Sequence, residues 1–141
     1  MTLEFGIILG DVPIEMDERS HFDYVLRQVE EAQRQGFTYI CIGQHFLYDA
    51  FRWLQPIPLM ARLAGETNDD VKLVTSVLVA PMYHPVVLAE ELATLDVMCG
   101  GRLVVGVGAG YAPREFELMG VPYAERFARL DETVELMTAL W

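Results

Sequence analysis

Residues Val71 to Glu117 read VKLVTSVLVAPMYHPVVLAEELATLDVMCGGRLVVGVGAGYAPREFE, and this stretch decides the fold. An apolar run (Val71 to Ala80) precedes a segment with apolar residues at helical spacing, a stop at Gly100-Gly101 and a second apolar run (Arg102 to Val107). Two buried strands joined by a crossover helix form a parallel βαβ unit. Gly106, Gly108 and Gly110 then leave a bare backbone at the carboxyl end of the second strand, the end at which parallel sheets place their ligands.

Outward from this unit the same rhythm repeats. Phe5 to Leu9 (FGIIL) is a short apolar strand that ends at Gly10-Asp11. Ser20 and Asp23 resemble a capping box. Phe22, Val25, Leu26, Val29 and Ala32 then share one helical face up to Gly36, with Arg27, Glu30, Glu31 and Arg34 turned to water. Thr38 to Gly43 is the next strand. It runs into Gln44, His45, Phe46 and the aromatic loop YDAFRW, whose Tyr48, Phe51, Arg52 and Trp53 are placed to line a pocket rim. Pro56 and Pro58 open a short helix with Leu59, Met60, Leu63 and Ala64 as its apolar face. The helix from Pro85 turns Leu88, Leu92, Leu95 and Met98 inward. Beyond a loop from Tyr111 to Arg126, a last helix bears Phe127, Leu130, Val134, Met137 and Leu140. Four strands and four helices in strict alternation predict an α/β chain with a parallel sheet. It is either open and doubly wound or part of a barrel, in a single domain over residues 1–141.

The chain has 141 residues, a net charge of -11 and only ten basic side chains, which form no cluster. That charge pattern argues against a nucleic-acid partner. No apolar stretch approaches the ~18 residues that span a bilayer, and no basic segment precedes the first apolar run, so a soluble, cytoplasmic protein without a membrane partner is expected. Cys41 and Cys99 lack metal-binding spacing and read as two buried free thiols. The three histidines show no metal pattern. Asp11, Asp49 and Glu115 fall on loops that share one face, without the spacing of a carboxylate pair.

His45 lies just past a buried strand's carboxyl end. It is either an acid-base group for a bound molecule or a packed histidine bonded to backbone. His84 reads as shaping the start of its helix, and His21 as a surface residue. The sequence GVGAGY (Gly106 to Tyr111) lacks the position and the following acid of a dinucleotide fingerprint. Its glycines allow a planar ligand or a neighbouring strand to approach closely.

His84 to Trp141, HPVVLAEELATLDVMCGGRLVVGVGAGYAPREFELMGVPYAERFARLDETVELMTALW, together with the QHF of Gln44 to Phe46, resembles the luciferase-like flavin monooxygenases, the family that includes bacterial luciferase and deazaflavin-dependent oxidoreductases. The likeness runs from Phe5 to Trp141. It implies a (β/α)8 TIM barrel with a flavin across the carboxyl ends of the strands, of which four βα units, a half-barrel, are present here. The resemblance makes His45 the active-site histidine. It places a non-prolyl cis peptide at Ser76-Val77 behind the flavin ring, and sets Gly106, Gly108, Ala109, Gly110 and Tyr111 beside that ring. The implied cofactor is FMN, with a deazaflavin coenzyme as the alternative. The implied reaction oxidises a small organic substrate with oxygen and reduced flavin, or exchanges hydride with it.

This sequence departs from the family pattern in several places. Gln44 stands where an acid is usual, which deprives His45 of a charged partner, and Cys99 stands where serine is usual. Ala109 and Tyr111 supply neither the arginine nor the carboxylic acid that some members carry there. A half-barrel exposes sheet edges and an apolar face, so a homo-oligomer or a missing C-terminal half is the expected partner. The alternative to an oxidoreductase is a non-catalytic half-barrel that self-associates and lacks a complete flavin site. A nucleotide-binding open sheet is a third reading.

Overall fold

The computed structural model describes residues 3–9, 11–49 and 51–141. In chain order the elements are β1 (Gly6–Leu9), β2 (Asp11–Pro13), α1 (Glu18–Arg34), β3 (Tyr39–Ile42), β4 (Phe51–Trp53), α2 (Pro56–Leu63), β5 (Lys72–Val79), α3 (Pro85–Met98), β6 (Leu103–Gly108), α4 (Pro113–Met119) and α5 (Arg126–Leu140). Single 3₁₀ turns follow β5 (Ala80–Met82) and precede α5 (Tyr123–Glu125).

β1, β3, β5 and β6 form one parallel sheet in that order. The strands are added in chain sequence with no reversal, as in the arc of a barrel. A doubly wound sheet reverses at a switch point, so that expectation and the nucleotide-binding open sheet both fall away. Register places Leu9, Ile42, Thr75 and Val105 in one row and Ile7, Ile40, Leu73 and Leu103 in another on the same face. Against these rows pack Val25, Val29 and Ala32 of α1, Leu59, Met60 and Leu63 of α2, and Leu88, Ala89, Leu92 and Leu95 of α3, in one continuous core. The opposite face carries the row Ile8, Cys41, Val74 and Val104, with Ile8 67% exposed and Val104 41% exposed. An apolar stripe on the inner face of the arc therefore lies open.

Several expectations need correction. β2 and β4 form a separate antiparallel ribbon within what reads as loop, since three-residue strands are too short to show alternation. Gly10 lies outside the described residues, as does Ala50 of the aromatic loop. Asp11 is therefore in a strand, and the span from Tyr111 to Arg126 contains α4, started by Pro113 and closed by Gly120 at φ 67°. Helix α1 begins three residues early because Asp17 is its cap, accepting from the Ser20 N–H at 2.9 Å. His21 is fully buried, in line one turn before Val25. Met98 is 54% exposed, and Phe127, Val134 and Leu140 are also exposed, so α5 packs inward through buried Thr133 and Met137 and half-buried Leu130. Cys41 is half-buried and Cys99 buried; both are free thiols, and burial pushes both thiols up in pKa.

Two polar devices hold the sheet. At the amino end of β6, the buried Arg102 guanidinium donates to the carbonyls of Ala64, Asn68, Val71 and Cys99 and to Thr67 Oγ1, at 2.7 to 3.1 Å. It thereby ties the carboxyl ends of α2 and α3, where helix carbonyls are unpaired, to the start of two strands. Between Thr75 and Leu78 the β5–β6 register shifts, so three steps on β5 oppose two on β6. The buried Thr75 hydroxyl spans the gap, accepting from the Gly106 N–H and donating to the Gly106 carbonyl, both at 2.8 Å. Arg102→Met is expected to lower the unfolding free energy by about 2–4 kcal/mol and Thr75→Val by about 1–3 kcal/mol, each leaving buried backbone groups without partners. Urea denaturation checks both; a midpoint unchanged from wild type would contradict the assignment.

Candidate functional site

The carboxyl ends of β3, β5 and β6 converge on His45. β3 ends at Ile42, and Gly43 follows because a side chain there would meet the Trp53 ring at 3.1 Å and the Ser76 carbonyl at 3.3 Å. Trp53, delivered by β4, thus lies across the strand end. Leu47, at φ 50°, turns the chain directly after His45 and Phe46. The His45 ring is ringed by Tyr48, Trp53 and Tyr111, with centroids at 4.7, 4.9 and 5.6 Å. A hollow of about 360 Å³ opens beside it, lined among others by Tyr48, Phe51, Arg52 and Trp53, the four side chains expected at a pocket rim.

His45 is not deprived of a charged partner. Its Nδ1 lies 2.6 Å from Glu115 Oε1, with the two side chains only 14% and 5% exposed. The carboxylate comes from the first turn of α4, seventy residues further on, rather than from position 44. With Nδ1–H donated to Glu115, Nε2 is the free nitrogen, and it faces the Tyr111 hydroxyl at 3.3 Å. This arrangement sets the tautomer and gives an imidazolium a neutralising neighbour. The sequence signal for Glu115 was the REFE run after GVGAGY, but its 70-residue separation from His45 hides the pairing until the fold closes it.

Gln44 has a different task. It is buried, accepts from the Val79 N–H at 2.8 Å, and donates to Gln55 Oε1 at 3.0 Å and to the Tyr83 hydroxyl. Gln55 in turn donates to the His45 carbonyl at 2.9 Å. This network binds the end of β3 to the end of β5 and the start of α2. It needs two donors and an acceptor on one side chain, which an amide supplies and a carboxylate does not. Burial pushes the Tyr83 phenol up in pKa, with the Glu91 charge adding and the Gln44 hydrogen bond opposing.

The Ser76-Val77 peptide is cis, and both residues are exposed on the inner face, Val77 by 43%. Gly106 and Gly108 face this segment: a Cβ on Gly106 would sit 2.4 Å from the Thr75 carbonyl oxygen, and one on Gly108 2.8 Å from Val77 Cγ2. The close neighbour of these glycines is therefore strand β5. Gly110, at φ 76°, carries the chain past Val79 and Phe116 into Tyr111, whose carbonyl accepts from the Tyr123 hydroxyl at 3.2 Å. Ala109 lies half-buried between them. His45, Ser76, Val77, Gly106, Gly108, Ala109, Gly110 and Tyr111 thus lie at the carboxyl end of the sheet. His84 caps α3 through its backbone and is exposed, while His21 lies in α1. Asp49 pairs with Arg114, closing the aromatic loop onto α4. A larger groove, about 620 Å³, runs between α2 and α3; it shares Gln55 and Tyr83 with the site but does not reach His45. No group of three or more His, Cys, Asp or Glu able to hold a metal occurs among the described residues, and no helix there is long and apolar enough to cross a membrane.

The profile of a family described as luciferase-like monooxygenase matches residues 3–141. An F420-dependent glucose-6-phosphate dehydrogenase from Segniliparus rotundus is 36% identical over 124 residues, covering 78% of this chain and 35% of that protein. The crystal structure of the monooxygenase RslO1 from Streptomyces bottropensis matches with a TM-score of 0.90 and 34% identity, over 99% of this chain and 43% of that one. The oxygenating constituent of 3,6-diketocamphane monooxygenase from Pseudomonas putida, solved with FMN, matches with a TM-score of 0.85 and 25% identity, over 97% of this chain and 39% of that one. The chain spans less than half the length of each of these proteins.

The Gln44 network makes a specific demand on chemistry. Gln44→Glu keeps the acceptor for Val79 but loses both donors, and is expected to cost about 1–3 kcal/mol of stability at neutral pH, measured by urea unfolding. Wild-type stability in that variant would contradict the network.

Proposed function

The chain belongs to the luciferase-like monooxygenase family, and from that premise we propose that it forms the N-terminal half of a (β/α)8 flavin-dependent oxidoreductase acting on a small organic substrate. The observation that carries this reading is the His45–Glu115 pair, held at 2.6 Å beside an exposed Ser76-Val77 segment at the sheet's carboxyl end. A planar cofactor fits that surface: Val77 offers an apolar contact, the strand glycines leave no side chain in the way, and the aromatic wall of Tyr48 and Trp53 bounds it on one side. FMN, or a deazaflavin coenzyme in its place, would supply the electron transfer to oxygen or the hydride exchange. Ser76, Val77 and the backbone from Gly106 to Tyr111 would hold its ring system. Near the site, Arg52 and Arg114 are each ion-paired, with Glu18 and Asp49.

The chain's own residues do the rest. His45 receives or gives a proton at Nε2, and Glu115 holds Nδ1–H and neutralises the imidazolium. The hollow of Tyr48, Phe51 and Trp53 takes the apolar part of the substrate and excludes water. In the completed enzyme, His45→Ala should lower turnover by roughly 10²–10⁴-fold, with cofactor affinity little changed.

A second reading, a non-catalytic half-barrel that self-associates, is favoured by the open stripe of Ile8, Cys41, Val74 and Val104. Light scattering together with absorbance, before and after adding FMN or the deazaflavin coenzyme, separates the two. The oxidoreductase reading expects an assembly larger than the monomer that holds a chromophore near stoichiometry. An assembly that binds neither chromophore supports the scaffold instead, and a monomer that binds neither contradicts both.

A further inference from the structure

A proton carrier must be reloaded, and the surroundings of His45 show from which side. Glu115 is 4% exposed, the His45 side chain 14% and Tyr111 67%, so the three groups step from the interior to solvent. Glu115 Oε1 takes the Nδ1–H, which leaves the Nε2 lone pair pointing to the Tyr111 hydroxyl at 3.3 Å. Tyr111 is held for this contact. Gly110 fixes the preceding turn at φ 76°, the Tyr123 hydroxyl donates to the Tyr111 carbonyl at 3.2 Å, and the phenol ring meets the imidazole edge-on.

We infer that Tyr111 is the solvent end of a proton relay that runs from the Tyr111 hydroxyl to Nε2 of His45, while the Glu115 carboxylate holds Nδ1–H and balances the charge. The inference rests on the reading of His45 as a proton carrier. It gives Tyr111, at a position that borders a cofactor by resemblance, a task of its own. In the loading step the Tyr111 O–H bond breaks and an Nε2–H bond forms, while a water molecule returns a proton to the phenolate oxygen. The imidazolium is balanced by the Glu115 carboxylate 2.6 Å away. When Nε2 gives its proton to the substrate, the imidazole is again neutral. One proton has passed from solvent to substrate and no electron has moved. Desolvation, with the neighbouring Tyr48 and the Glu115 charge, pushes the Tyr111 phenol up in pKa.

The test needs neither flavin nor substrate. In the full chain labelled with ¹⁵N-histidine, NMR reads which ring nitrogen of His45 is protonated and how fast its protons exchange with water. Wild type should show the proton on Nδ1. Tyr111→Phe keeps the ring contact and should keep that tautomer, but slow the exchange at His45 by roughly tenfold or more. Glu115→Gln should abolish the single tautomer. A backbone amide spectrum unchanged outside the loop establishes that Tyr111→Phe is folded; Tyr111 is exposed, so this is expected. Exchange in Tyr111→Phe equal to wild type, or a wild-type proton on Nε2, would overturn the relay. Failure of the oxidoreductase reading shows separately, as a wild-type chain that binds neither chromophore.

Discussion

The structure turns on the place where strands β5 and β6 fall out of step. Between Thr75 and Leu78 the longer path of β5 must be accommodated by its neighbour, and the neighbour yields by lacking side chains at Gly106 and Gly108. Any Cβ at Gly106 or Gly108 would enter β5. The Thr75 hydroxyl supplies hydrogen bonds to both polar groups of Gly106. In consequence the segment so displaced, Ser76-Val77, is exposed to solvent. Gly43 lies against both the Ser76 carbonyl and the Trp53 ring, and Trp53 in turn meets His45.

The two ends of the sheet divide the work. At the amino end, Arg102 satisfies neutral carbonyls at the ends of two helices and contributes rigidity without chemistry. At the carboxyl end, the polar groups are of two kinds. The Gln44–Gln55–Tyr83 set is joined by hydrogen bonds and holds the backbone at His45. The Glu115–His45–Tyr111 set leads outward to solvent. A buried amide network under an ionisable pair keeps the imidazole in one orientation while leaving its outer nitrogen free.

Much of this was legible in the sequence. The βαβ core, the helix faces of α1 and α2 and the proline starts follow from periodicity and turn chemistry, and the structure keeps them. What escaped shares one physical cause, dependence on contacts distant in sequence. The β2–β4 ribbon has three-residue strands that pair across some forty residues of chain. Helix α4 hid in a run broken by proline and glycine. The partner of His45 lies in α4, so a missing acid at position 44 suggested an isolated histidine. His21 is polar and sits in a first turn, yet the stripe it shares with Val25 faces inward. Tertiary burial overrides local polarity at such positions.

On the proposed reading, the carboxyl end of the sheet, from His45 across Ser76-Val77 to Tyr111, is the face that meets a flavin or deazaflavin ring. Amide NMR of the full chain during titration with FMN and with the deazaflavin coenzyme tests it most directly. Shifts are expected to concentrate at Ser76, Val77, Gly106, Gly108, Gly110 and Tyr111, with His45 and Trp53 moving in step. Shifts confined to the α2–α3 groove around Ile57, Ala61 and Met98, or none at all, would contradict it.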